Sequence, residues 1–310
     1  MSGWAVVFPG QGSQSVGMGR AFFDHYALSR LTFEEADDAL GYKLSQVIFE
    51  GPTARLEETE VQQPAILVVS IAVWRALKHE RPHFQPDLAL GLSLGEYTAY
   101  VAAGSLPFSD AVRLTEVRGR AMQNAVPKGS GGMVAALGLT QHLVEEICQA
   151  ASEWGLVELA NFNAPGQFVI SGYVTGLDRA EELIREAGGR AVRLAVSAPF
   201  HSRLLEPAGL AVQDALSTIH LARATFPVIA NVDAELCWEP EQIVPRLVAQ
   251  VSHPVRFEDG VRCAQERGAH RFLELGPGKS LSSLIKKIDR SNQTFPIENP
   301  EALRKALELV

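Results

Sequence analysis

The stretch of this chain best suited to covalent chemistry is Gly91-Leu92-Ser93-Leu94-Gly95. Three apolar residues, Leu88, Ala89 and Leu90, precede it as the end of a buried strand, and Glu96 opens a helix-like run that ends at Gly104. In a strand–turn–helix context a Gly-x-Ser-x-Gly turn holds its serine at the apex, because only glycine lets strand and helix approach so closely. Ser93 Oγ would then lie over a helix N-terminus, whose free N–H groups and dipole favour developing negative charge, with the Leu94 N–H as an oxyanion donor. The competing reading is a plain βα turn in which glycine and serine meet by chance. The pattern points to acyl chemistry and leaves the acyl group open.

A second informative residue is Arg118. The segment 110–126 reads as a helix, with Ser109 as its N-cap and Pro127 beyond its end. Its apolar stripe runs through Ala111, Leu114, Ala121 and Ala125, with Met122 beside it. Arg118 falls on that stripe, whereas Arg113 and Arg120 face elsewhere. Most helical arginines are solvated, but a guanidinium on an apolar stripe must find an anion. The i±3 and i±4 positions hold Leu114, Thr115, Ala121 and Met122, none of them acidic. A planar fork in that position suits a substrate carboxylate.

Among eight histidines, His201 stands out. His25, His79, His83 and His142 have polar surroundings, and His220, His253 and His270 flank strands or loops. His201 sits in Ser197-Ala198-Pro199-Phe200-His201-Ser202, at a junction of the chain, and is a candidate base. The loop Pro9-Gly10-Gln11-Gly12-Ser13-Gln14 follows a short apolar strand and reads either as a backbone-lined pocket, with Gln11 supplying an N–H, or as an ordinary turn. Gly276-Pro277-Gly278-Lys279-Ser280 imitates the end of a phosphate-binding loop, yet Leu273 stands where that motif needs glycine.

These residues are distributed over an α/β pattern. Trp4–Phe8, 88–90, 226–230 and Arg271–Leu275 read as strands of one sheet, and a long buried helix is expected to open at Gln63-Pro64. From about Pro127 the pattern changes: a glycine hinge at 129–132, then strand, helix, two strands, helix, strand, up to about 196. That order is βαββαβ, the ferredoxin-like plan, with a turn at Asn161-Phe162-Asn163-Ala164-Pro165-Gly166 whose amides would face the cleft. The expected architecture is a large α/β catalytic subdomain, residues 1–126 and 197–310, with a small subdomain, residues 127–196, inserted in it.

Composition narrows the class. The chain has 310 residues, 46% hydrophobic and 21% charged, enough for one large α/β domain with an insert. A net charge of −8 argues against nucleic acid as a partner. Three scattered cysteines fit reduced thiols better than a disulfide framework or a zinc site. Met1-Ser2-Gly3-Trp4 runs straight into a strand with no signal-like segment, and the longest apolar run falls well short of a membrane span. A cytoplasmic protein without membrane contact is expected.

Taken together, several motifs in order resemble the malonyl-CoA:acyl carrier protein transacylases over nearly the whole chain. The landmarks are Phe8 to Gln14, Gly91 to Tyr97, Arg118-Gly119, Asn161-Phe162-Asn163, Pro199-Phe200-His201-Ser202, Gln250 with Pro254-Val255, and Gly276 to Lys279. The resemblance implies an α/β-hydrolase-like large subdomain. It implies Ser93 as nucleophile and His201 as base, a dyad whose imidazole is oriented by the main-chain carbonyl of Gln250. The Gln11 and Leu94 N–H groups would form the oxyanion hole, Arg118 would pair with the malonyl carboxylate, and Met122, Asn163 and Phe200 would line the substrate site. It implies no cofactor or metal, malonyl-CoA and a phosphopantetheinylated acyl carrier protein as substrates, and a monomer. Lys279, Lys286, Lys287 and Arg290 are the basic residues expected to meet an acidic carrier. Many relatives carry histidine where this chain has Leu92, a variant shared with stand-alone acyltransferases that load polyketide synthases, so fatty acid and polyketide pathways both stay open. A serine thioesterase or esterase, or a non-catalytic docking subunit, are the rival classes.

Overall fold

The computed structural model describes residues 3–196 and 198–310. Met1, Ser2 and Ser197, which the sequence reading placed at the chain start and at the junction before His201, lie outside the described residues. The fold is α/β, built on two sheets.

The larger sheet contains β1 (Trp4–Phe8), β2 (Leu88–Gly91), β7 (Val228–Ile229), β8 (Leu236–Cys237), β9 (Arg271–Leu275) and β10 (Gln293–Ile297), in the order β10-β9-β1-β2-β7-β8. All neighbours are parallel except the β7–β8 pair at one edge. β1 and β2 run in register from Ala5 opposite Leu88 to Phe8 opposite Gly91, so the loops after both strands emerge side by side. Successive strand side chains point to opposite faces, and both faces here are covered. Trp4, Val6 and Phe8 join one core cluster, while Ala5 and Val7 join another with Leu88, Leu90 and Phe272. Burial on both faces explains why these strands are continuous apolar runs.

The smaller sheet contains β3 (Gly131–Leu137), β4 (Val157–Ala164), β5 (Gln167–Tyr173) and β6 (Arg190–Arg193), antiparallel throughout in the order β4-β5-β3-β6. The helices Gln141–Ala151 and Val174–Glu186 share a core with one face of it, through Val134, Ile147, Ile170 and Ile184. Met133, Ala160 and Val169 belong instead to the main core. Two main-chain bonds, Phe162 N–H to the Val255 carbonyl at 2.9 Å and Val255 N–H to the Ala160 carbonyl at 2.8 Å, tie β4 to the rest of the chain.

Several local expectations are corrected. Gly131 and Gly132 form no hinge; they are strand residues opposite Tyr173 and Gly172, and a Cβ on Gly131 would lie 2.5 Å from the Pro199 ring. Close approach, not flexibility, accounts for that glycine. Asn161, Phe162 and Asn163 lie within β4 and not in a turn, because pairing with β5 and the bridge to Val255 continue through two register shifts. Ser109 does not cap its helix, which spans Phe108–Asn124 with Pro107 at the N-cap; the Ser109 hydroxyl donates to Glu35 instead. The long buried helix spans Thr59–Glu80, so Pro64 lies inside it, past the first turn, and the helix forgoes the bond its N–H would make to the Glu60 carbonyl. No helix among the described residues is long and apolar enough to cross a membrane.

Candidate active site

The elbow between β2 and the helix Leu94–Ala102 is set by three contacts that leave no room for side chains. A Cβ on Gly91 would fall 2.0 Å from the Gly95 carbonyl carbon, one on Gly95 2.0 Å from the Phe8 oxygen, and one on Gly10 2.3 Å from the Leu92 oxygen. The turn is therefore pressed onto the end of β1 and onto the loop carrying Gln11. Ser93 takes φ 54° and ψ −104°, a conformation costly for a residue with a side chain. Asn231, just beyond β7, holds it there: its Oδ1 accepts the Ser93 N–H at 2.7 Å and its Nδ2 donates to the Gly91 carbonyl at 2.7 Å. The N–H of Leu94 starts the helix, where backbone donors have no helical partner. Neither it nor the Gln11 N–H makes a hydrogen bond among the described residues.

His201 reaches the same point from the chain that follows the small sheet. It too has a positive φ, 60°, and is buried. Its Nε2 lies 2.7 Å from Ser93 Oγ and its Nδ1 lies 2.8 Å from the Gln250 main-chain oxygen. A carbonyl can only accept, so Nδ1 carries the proton and Nε2 presents a bare lone pair to the serine hydroxyl. Burial, reinforced by the nearby Arg118 charge, pushes His201 down to about 4, against the opposing pull of the Gln250 carbonyl. The ring is thus neutral at neutral pH, in the state that can take a proton.

Arg118 is 1% exposed. Its helix crosses the helix Thr59–Glu80 so closely that a Cβ on Gly119 would meet the Thr59 oxygen at 2.4 Å. Its Nη1 donates to Gln63 Oε1 at 2.7 Å, and its Nη2 donates to Gln250 Oε1 at 2.8 Å and to Ser93 Oγ at 3.0 Å. The guanidinium lies over the Tyr97 ring, 4.9 Å from its centroid. Its acceptors are all neutral oxygens, while its Nε is buried with no partner among the described residues. Burial pulls its pKa below the usual arginine range, with Tyr97 and Glu96 opposing. Arg113 and Arg120 instead pair at the surface with Asp110 and Glu60.

Ser93, His201, Arg118 and Gln250 therefore meet in one hydrogen-bonded cluster. Met122 lies one turn after Arg118, its sulfur 3.7 Å from Gln63 Nε2, and Phe200 is buried immediately before His201. Asn163 is half-buried in β4 and makes no hydrogen bond to the cluster among the described residues; its Oδ1 has no partner there. Sequence reasoning missed Gln63, Asn231 and Glu96, and it missed the Gln250 side chain. Gln250 Nε2 donates to the Ser93 carbonyl at 2.8 Å and to Glu96 Oε2 at 2.7 Å. The one available signal was position: Asn231 follows a strand that neighbours the elbow strand, as residues at the carboxyl ends of parallel strands often do at sites.

Comparison with known proteins agrees with this geometry. A family model described as an acyl transferase domain matches residues 5–298. A Bacillus subtilis protein named malonyl CoA-acyl carrier protein transacylase is 43% identical over 310 residues, covering 99% of this chain and 97% of that protein. The solved malonyl CoA-acyl carrier protein transacylase of Coxiella burnetii superposes with a TM-score of 0.97 at 37% identity, covering 99% and 97% of the two chains. A malonyl-transacylase solved in complex with its type II polyketide synthase acyl-carrier protein superposes at 0.96 with 39% identity, over 98% and 99%. With most of its length matched by the family model and by relatives well above chance identity, this chain belongs to the acyl transferase domain family.

Proposed function

We propose that this protein transfers the malonyl group from malonyl-CoA to the phosphopantetheine thiol of an acyl carrier protein. Ser93 Oγ attacks the thioester carbonyl as His201 Nε2 takes its proton, and the Gln11 and Leu94 N–H groups receive the oxyanion. Collapse breaks the carbon–sulfur bond, the imidazolium returns its proton to the departing coenzyme A sulfur, and malonyl-Ser93 remains. The carrier thiol then repeats the sequence in reverse. The Gln250 carbonyl keeps the imidazole in its tautomer. Proton and thiol balance with no further group, so no cofactor or metal is assigned.

One observation carries the choice of acyl group: Arg118 Nη2 lies 3.0 Å from Ser93 Oγ. An acyl group on that oxygen, with a carboxylate one methylene beyond its carbonyl, would bring the anion to the guanidinium. An acetyl group would bring no carboxylate to the guanidinium, which would keep only neutral oxygens in direct contact. Met122, Phe200 and Asn163 are assigned to the walls of the acyl site. The test is intact-mass detection of the acyl-enzyme with malonyl-CoA, methylmalonyl-CoA and acetyl-CoA, followed by addition of phosphopantetheinylated carrier. A malonyl adduct that moves to the carrier is expected; rapid hydrolysis without transfer would favour the thioesterase class instead, and failure to form any adduct would support a docking role.

We read the two sheets as an α/β-hydrolase-like large subdomain and a ferredoxin-like small one, divided at residues 126/127 and 196/197. A monomer is the reading kept for the assembly, and three free cysteines support a cytoplasmic setting. The exposed Lys279, Lys286, Lys287 and Arg290 are assigned to carrier docking. Extender supply for fatty acid synthesis is the principal reading. The likeness to the transacylase bound to a polyketide carrier favours, as the second reading, the same reaction on a polyketide synthase carrier.

A further inference from the structure

Beneath the elbow lies a carboxyl group for which the reaction has no use. Glu96, in the first turn of the helix Leu94–Ala102, is fully buried. Its Oε2 accepts two hydrogen bonds, from the Asn231 N–H at 3.0 Å and from Gln250 Nε2 at 2.7 Å. Its Oε1 is buried with no partner among the described residues. A neutral glutamine could accept both bonds through its own oxygen, and burial disfavours the charged form of an acid. Hydrogen bonding alone therefore does not explain why an acid stands here.

The Gln250 side chain supplies a reason. Its Oε1 accepts from Arg118 while its Nε2 donates to Glu96. The amide dipole thus spans the two groups, negative end on the guanidinium and positive end on the carboxyl. With only neutral oxygens on Arg118, the charge of this buried cation is balanced across a single amide, and each group favours the other's charged form. Other charged or titratable neighbours do not replace either member. Asp233 and Arg246 pair with each other at 2.7 Å. Tyr97, Tyr100 and Cys237 are pushed upward, chiefly by burial, and stay neutral. His201 is neutral as well, β1 and β2 have no charged residue on this side, and the buried face of the helix Thr59–Glu80 has none.

A second carboxylate arriving at Arg118 would leave two anions around one buried cation, an arrangement that two closely placed acids resolve by sharing protons. We propose that Glu96 is the resident counter-charge of Arg118, relayed through the Gln250 side chain, and that it takes up a proton on Oε1 when a substrate carboxylate docks on the guanidinium. The inference rests on Arg118 as the partner of the malonyl carboxylate. Enzyme with ionised Glu96, malonyl-CoA and a proton combine to give the bound complex with neutral Glu96. Burial raises the Glu96 carboxyl to about 7, restrained by the bonds from Gln250 and Asn231 and by Arg118, so the exchange falls near neutral pH.

The test is the pH profile of kcat/KM for acyl-enzyme formation, measured in single turnovers with malonyl-CoA and with acetyl-CoA. Wild type should lose malonyl reactivity by about tenfold per pH unit above the Glu96 pKa, whereas acetyl reactivity, which brings no second anion, should lack that limb. Glu96→Gln, which retains an acceptor for both donors but cannot titrate, should remove the limb from the malonyl profile. A malonyl profile in wild type that parallels the acetyl profile from about pH 6 to about pH 9 would overturn the proposal while leaving malonyl transfer intact. Survival of the limb in Glu96→Gln would do the same. Should that variant fold poorly, the wild-type comparison still decides. Absence of a malonyl adduct at every pH would remove the functional reading and the proposal together.

Discussion

Replacing Arg118 by alanine should change which acyl group the protein accepts, and the structure sets the size of the change. The guanidinium is buried, its Nη2 within 3.0 Å of the serine oxygen, so a carboxylate carried on Ser93 would be paired out of water. Truncating one partner of a buried charge pair costs about 3–5 kcal/mol because the other charge is left unpaired. At about 1.36 kcal/mol per factor of ten, malonyl kcat/KM should fall on the order of 10²–10⁴-fold. Acetyl reactivity should rise relative to malonyl, since only the malonyl group loses a direct partner for its carboxylate. Gln63 Oε1 and Gln250 Oε1 also lose a donor in the variant, a loss worth about 1–3 kcal/mol of stability for each buried acceptor left unsatisfied. Folding must therefore be checked by circular dichroism beside the kinetics. The assay is single-turnover acylation followed by intact mass with the two thioesters in competition. A folded Arg118→Ala protein that retained the wild-type malonyl-to-acetyl ratio would refute the reasoning.

Other consequences follow from the same contacts. His201, pushed down to about 4, is neutral in the fold across a window where an unfolded histidine, near 6.5, is already charged. The unfolded state then binds more protons, so this group's contribution to stability is full above about 6.5 and is lost as pH falls toward about 4, which urea titrations at several pH values would detect. His201→Ala should slow acyl-enzyme formation by roughly 10²–10⁴-fold, and an unchanged rate would exclude it as the base. Asn231→Ala removes the acceptor of the Ser93 N–H and the donor to Gly91, and should lower unfolding free energy by about 1–3 kcal/mol in chemical denaturation. Gly95→Ala would set a methyl group 2.0 Å from the main-chain oxygen of Phe8, so the elbow should not form; a soluble variant with normal acylation would contradict that geometry.

Much of this molecule is legible in local sequence. The run Trp4–Phe8 has the bounds of its strand because a strand buried on both faces is apolar without interruption, and Arg271–Leu275 matches its strand although Arg271 and Glu274 break its apolar run. Gly91, Ser93 and Gly95 mark the elbow because no other residues fit a strand and helix meeting at that distance. Arg118 is conspicuous because a charge on an apolar stripe needs an explanation wherever the helix is placed. Where reading failed, long-range pairing had overridden local preference. Asn161 and Asn163 look like turn residues but lie in a strand: Asn161 pairs with β5 and Val255, and Asn163 sits in a register shift between paired neighbours; Gly131 looks flexible and is packed against Pro199.

The amino-acid order alone determines which groups can do the chemistry, since a hydroxyl on a glycine elbow, an imidazole and an apolar-face guanidinium are properties of residue type and short spacing. Tertiary structure alone decides that they touch. Ser93 and His201 are 108 positions apart, and Gln250 lies a further 49 beyond. Asn231, Gln63 and Glu96 carry no mark in their own segments. They matter because the ends of β1, β2 and β7 and two crossing helices converge on one buried point, where each polar group must find its partner among residues remote in the chain.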